Sequence, residues 1–164
     1  MNQFEGNVKI EDVIEGKLFY AGTTSGVSMY PMLRHRRDTI VVRALDGRLK
    51  KYDIPVYKVN DRYIMHRVIK VLPEAYIIRG DNCVNKEYVT DDMIIGKLDE
   101  FYRNPKDVSA IKQGDAKPVN MNGIGYKLYV RVWHYSFPIR LMYKKVRHLL
   151  GRVKRAVKRL IKRG

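Results

Sequence analysis

The chain of 164 residues contains one cysteine, Cys83, so no disulfide can form within it. A reducing compartment is the simpler expectation, and a disulfide-free exported protein is also compatible. Acidic residues run out early: all 17 lie at or before Asp115. No apolar run reaches the about 18 residues needed to cross a bilayer. The opening stretch, "MNQFEGNVKIEDVIEGK", has mixed charge and lacks the apolar core of a signal peptide. The expectation is a cytoplasmic chain, free or peripheral on the inner face of a membrane. Metal-ligand spacings, a phosphate loop and a dinucleotide fingerprint are all missing, so no cofactor or metal is expected.

The charge that is present is unevenly placed. The first 115 residues carry a net +2, and residues 116–164 carry +14. This is a near-neutral domain with a cationic extension.

Between residues 20 and 103, short runs rich in Val, Ile and Tyr alternate with turn signals. The runs are "DTIVVRAL", "DIPVYKV", "RYIMHRVIKV", "EAYIIRG" and "MIIGKLDEFY". Asp46-Gly47, Asn60-Asp61, Pro73-Glu74 and Gly80-Asp81-Asn82 punctuate them. That texture predicts a mainly β, antiparallel domain built of hairpins. Ile10, Val13 and Ile14 add a short helix over residues 9–19. Three segments are expected: a β domain over 1–103, a polar linker with two prolines over 104–125, and a tail over 126–164. After Pro138, apolar residues at 142, 146, 149, 150, 153, 157, 160 and 161 predict a helix with Lys and Arg on its other face. Gly151 weakens it by about 1 kcal/mol relative to Ala.

The stretch "SGVSMYPML" places Ser28 at a corner between Gly26 and Pro31. Glycine permits unusual dihedrals and close approach of another backbone, and proline stiffens the exit. A corner of this kind can expose a hydroxyl and aim backbone N–H groups at one point. A serine nucleophile needs a base within reach, a group that orients the base, and donors where the oxyanion forms. Most serines in such a setting only make turns, so this motif alone carries little.

Three stretches read together carry more. "SGVSMYPML" is followed by Asp38 and "TIVV", then by "YIMHRVIKV", then by "YIIRGDNCVNKE". This combination resembles the signal peptidase I superfamily, which includes the self-cleaving SOS repressors, in motif order and spacing across residues 20–103. The resemblance implies a signal peptidase/SOS-repressor-like antiparallel β domain and a serine endopeptidase acting on a signal- or leader-type peptide. Its "HRV" element resembles the branch that uses histidine where bacterial-type members use lysine. His66 is then the general base for Ser28, and a reference pKa of about 6.5 suits that work near neutral pH. That branch carries an aspartate six residues after the one in Gly-Asp-Asn, and here the position is Glu87. Glu87 and Asp81 are both candidates for orienting His66, with Asp92 behind them. Family likeness further implies small substrate residues at positions −1 and −3.

The chain also departs from the family. Gly26 stands where many members have a serine that assists the oxyanion hole, so the hole is expected to rest on backbone N–H groups, chiefly that of Ser28. Arg37-Asp38 replaces the usual Gly-Asp, and Arg37 argues against a left-handed conformation there. No stretch of these residues is expected to serve as the family's usual N-terminal membrane anchor. His35, in "RHRRD", reads as solvated, His134 as a packing residue, and Cys83 as a half-buried thiol near the site.

The cationic tail admits three readings: an interfacial helix on an anionic membrane, nucleic-acid binding through phosphates, or a solvated face. The aromatics that could stack on bases precede the cationic helix instead of interleaving with it, which weakens the nucleic-acid reading. Cationic segments favour the cytoplasmic side, so a cytoplasmic precursor is as open a substrate as a secretory one. The non-enzymatic alternative is an inactive signal peptidase-like protein that binds membrane or nucleic acid through its tail.

Overall fold

The computed structural model describes residues 19–60, 62–105, 111 and 114–161. The helix expected over 9–19 falls almost wholly outside these residues. The chain divides into two compact units, residues 1–126 and 127–164.

The first unit is a mostly antiparallel β half-barrel with a small second sheet. Among the described residues, eight strands follow in order: β1 (Tyr20–Thr23), β2 (Thr39–Arg43), β3 (Pro55–Val59), β4 (Arg62–Met65), β5 (Arg67–Val71), β6 (Ala75–Arg79), β7 (Glu87–Thr90) and β8 (Ile94–Tyr102). The larger sheet has the order β1-β2-β8-β3-β4, and the smaller one β5-β6-β7.

Strand β8 is the spine, pairing with β2 on one side and β3 on the other. It gives an extra residue to each ladder: Asp99 opposite the Val41/Val42 step and Ile95 opposite the Val56/Tyr57 step. Extra residues of this kind bend a strand and strengthen its twist, which curves the sheet into a half-barrel. Leu49, Tyr57, Val68, Tyr76, Ile78 and Val89 form a buried cluster drawing on both sheets.

The run "RYIMHRVIKV" is not one strand. Met65 pairs with Val56 in the larger sheet, Arg67 pairs with Arg79 in the smaller one, and His66 lies at the crossing. The Asn60 turn closes the β3–β4 hairpin, with Asn60 at φ 46° and Val59 opposite Arg62. Asp46-Gly47 makes no hairpin between neighbours, because β2 pairs with β1 and β8 and not with β3. In the segment expected as a linker, the Val119 N–H donates to the Phe101 carbonyl at 2.9 Å, tying that part to the end of β8.

Two helices follow, α1 (Ile124–Tyr135) and α2 (Phe137–Ile161), and from Lys127 onward they make up the second unit. The chain is therefore mixed rather than mainly β, with two C-terminal helices where one was expected. The aromatic and β-branched content of residues 126–135 masked the first of these, although Leu128, Val132 and Tyr135 already stand at helical spacing. No helix among the described residues is long and apolar enough to cross a membrane.

Candidate active site

Ser28 lies in the connection between β1 and β2, residues 24–38. Its ends are sewn together: the Thr24 N–H donates to the Asp38 carbonyl at 3.2 Å, and the Arg36 N–H to the Thr24 carbonyl at 2.8 Å. The buried Asp38 carboxylate accepts the Arg34 N–H at 3.0 Å and the Asn104 N–H at 3.2 Å. Met29, Met32 and Leu33 are buried beneath the loop, while Ser28 itself is half-exposed. Apolar anchors on one side of Ser28 and a closed polar neck at the loop's ends hold the corner in place.

Gly26 has φ 94°, a conformation that glycine adopts without the penalty other residues meet. Its N–H donates to His35 Nδ1 at 2.9 Å. His35 is exposed as expected, and it also braces the backbone two residues before Ser28. The left-handed residue in the return of the loop is Arg36, at φ 53°, and not its neighbour Arg37.

His66 is buried at 6 % exposure. Its Nδ1 lies 3.2 Å from Glu87 Oε2 and 3.0 Å from the Tyr57 hydroxyl. The Tyr57 hydroxyl in turn donates to Glu87 Oε2. Because that hydroxyl spends its proton on Glu87, both partners of Nδ1 are acceptors, and a proton on Nδ1 satisfies the network. Burial first, then the bond to Glu87, hold the Tyr57 phenol well above its ordinary range, so it remains a donor. Tyr57 projects from β3 and Glu87 from the first position of β7, paired with Ile78 of β6.

The other edge of the His66 ring faces Gly80. A Cβ built on Gly80 would meet His66 Cδ2 at 2.9 Å, the Ser28 carbonyl oxygen at 2.8 Å and Cys83 Sγ at 2.8 Å. Cδ2 is bonded to Nε2 in the imidazole ring, so the Nε2 edge and the Ser28 main chain lie against the same spot. The Asn82 N–H donates to the Ser28 carbonyl at 2.7 Å, and Asn82 Nδ2 to the Val27 carbonyl at 3.3 Å. The Gly80-Asp81-Asn82 turn thus packs directly on the serine corner. Cys83 is half-buried, with its N–H on the Gly80 carbonyl at 3.0 Å.

Asp81 occupies a different position from Glu87. Its two oxygens take Arg67 Nε at 2.8 Å and Nη2 at 2.7 Å. The same guanidinium donates to Met32 Sδ, the Tyr52 carbonyl and the Tyr126 hydroxyl. Burial opposes the charge on Arg67, but the Asp81 bonds outweigh it and raise its pKa above the usual arginine range. Asp92 lies in a 3₁₀ turn, Asp91–Met93, leading into β8. Its neighbour Asp91 accepts from the Tyr76 hydroxyl at 2.6 Å.

Tyr57 and Arg67 were not assigned roles from the sequence. Nothing marks Tyr57 among the 12 tyrosines of the chain, whereas an arginine inside the apolar run "YIMHRVIKV" signals a buried charge needing a partner. Among the described residues, no group of three or more His, Cys, Asp or Glu could hold a metal ion. Compared with known proteins, the chain matches no family model, and no curated protein matches it.

Proposed function

We propose that the chain is a serine endopeptidase of the signal peptidase superfamily, of the branch that uses histidine, cleaving a signal- or leader-type peptide. The observation that carries the reading is the two-sided setting of His66. Nδ1 rests on Glu87 and Tyr57, and the Cδ2–Nε2 edge lies against the turn that packs on Ser28. A histidine with a merely structural role has no need of a carboxylate behind it and a serine corner before it.

In the proposed reaction, Ser28 Oγ attacks the scissile carbonyl carbon and its proton passes to His66 Nε2. Glu87 stabilises the imidazolium that forms. The Ser28 N–H stabilises the oxyanion; Gly26 N–H is already engaged by His35. As the C–N bond breaks, His66 returns the proton to the leaving amine. Water, deprotonated by His66, then releases the acyl group and restores Ser28.

The test is digestion of a diverse peptide mixture by the wild type and by Ser28→Ala, with new termini read by mass spectrometry. New termini from the wild type alone, with small residues at positions −1 and −3, are expected. Identical silence from both folded proteins removes the peptidase reading.

A further inference from the structure

The second unit exposes apolar surface along most of its described length. Leu128, Val132, Tyr135, Ile139, Met142 and Val146 follow one another at three- or four-residue spacing, and each is 50–67 % exposed. The stripe continues from α1 into α2 because helical hydrogen bonding continues between them. The Ser136 N–H donates to the Val132 carbonyl at 2.9 Å, and the Arg140 N–H to the Ser136 carbonyl at 3.0 Å. Arg140 pins the junction, with its guanidinium 3.7 Å from the centre of the Trp133 ring and Nη2 donating to the Trp133 carbonyl at 2.6 Å. An apolar strip of this extent in water calls for a partner.

The charge beside it says which. Between residues 144 and 155 there are six exposed Lys and Arg, and the tail from 126 onward has no acidic residue. At about 100° per residue, Lys145 and Arg152 fall along one margin of the stripe and Arg147 and Lys154 along the other. This is the arrangement of a helix lying in a membrane interface, apolar face down, with cationic margins reaching the headgroups.

Other partners fit less well. Phosphate contacts on a nucleic acid use cations alone and would leave the stripe in water. A second copy of the chain would bring two strongly positive tails together. We infer that α1 and α2 form a peripheral anchor for an anionic lipid surface. This does not rest on the peptidase reading, and its test needs no cleavage.

The experiment is co-sedimentation of the full chain with vesicles of phosphatidylcholine alone, or with phosphatidylglycerol added. Two variants accompany it: Met142→Gln/Val146→Gln/Leu150→Gln on the stripe and Lys145→Gln/Arg147→Gln/Arg152→Gln on its margins. All six positions are exposed, so both variants should fold as the parent does, which circular dichroism checks. Each cation near an anionic surface strengthens binding about fivefold. The parent should bind anionic vesicles at least tenfold more tightly than neutral ones, and each variant should lose at least tenfold. Equal binding to both vesicle types overturns the inference. So does full retention by the stripe variant, which would leave only attraction to polyanions. Displacement by double-stranded DNA at matched charge would reassign the tail to nucleic acid, and a stable homo-oligomer that covers the stripe would assign it to self-association.

Discussion

Arg67 grips Asp81 through two parallel hydrogen bonds of 2.8 and 2.7 Å, and both side chains are at most 4 % exposed. Arg67 directly follows the candidate base, Asp81 directly follows Gly80, and Arg67 also reaches Met32 of the serine loop. One buried ion pair therefore connects all three motifs singled out in the sequence. A two-pronged guanidinium can do this where a lysine ammonium cannot, because its donors diverge in a fixed plane.

Breaking that pair should be costly. Asp81→Asn leaves the Arg67 charge buried without its counter-ion, and the expected loss of stability is about 3–5 kcal/mol. Removing both charges, as Arg67→Met with Asp81→Leu, should cost less than removing one. Denaturant unfolding of the two variants checks the ordering; a loss well under 1 kcal/mol for Asp81→Asn would show that the pair is not a brace.

The strands were legible in their composition and the three motifs in their order, but the packing of the Gly80 turn against the Ser28 corner and the His66 ring is visible only in the fold. The sequence did not carry the break at His66. The apolar run continues across that residue, and only pairing partners far along the chain show that β4 and β5 belong to different sheets. Nor could it decide between Glu87 and Asp81 behind the imidazole. Both carboxylates lie close to Gly80 in sequence, and the choice depends on which one Arg67 claims. Tyr57 was invisible for a related reason: its neighbours in the site come from β7 and the β4–β5 crossing, contacts that no local pattern encodes.

Glu87 and Tyr57 should separate in their effects on cleavage. Glu87→Gln keeps an oxygen near Nδ1 but, in the proposed reaction, removes the charge that offsets the imidazolium. The expected loss in kcat is about a hundredfold or more, with KM little changed. Tyr57→Phe removes one of the two partners of Nδ1 and should lose about tenfold. Kinetics on a peptide identified by the cleavage screen decide this, and an undiminished kcat for Glu87→Gln would remove Glu87 from the site.

Tyr57 should also make the fold sensitive to alkali. Its phenol ionises near pH 10 in an unfolded chain, at about the reference value. In the folded chain, burial and the Glu87 bond raise that value. Below pH 10 both states hold the proton and Tyr57 adds no slope. Above it only the unfolded chain loses the proton, so stability falls by up to about 1.4 kcal/mol per pH unit. Tyr102, pushed up to about 12 by burial and by its bond to Glu100, acts in the same direction. Unfolding curves from pH 9 upward should be shallower in their pH dependence for Tyr57→Phe than for the wild type. Superimposable slopes would contradict the assignment.

Gly80 offers the most direct test of whether the serine corner and the imidazole work as a unit. A methyl group there would lie under 3 Å from the Ser28 carbonyl oxygen, His66 Cδ2 and Cys83 Sγ. The sulfur is on a short side chain and can turn aside. The Ser28 oxygen is backbone, held by the Asn82 N–H, and cannot move without the loop. The imidazole is held from behind by Glu87 and Tyr57. Gly80→Ala must therefore push Ser28 and His66 apart, at a cost in stability of about 1–3 kcal/mol, typical of overpacking. A misplacement of about 1 Å between reacting groups can cost about a hundredfold in rate. Gly26→Ala is the control. No atom lies within 4 Å of its would-be Cβ, so its positive φ carries the strain without any clash. The expected result is a comparable loss of stability in both variants, with the far larger loss of cleavage in Gly80→Ala. Equal cleavage by the two at matched folded fractions would mean that the contact across Gly80 holds the fold and not the reaction.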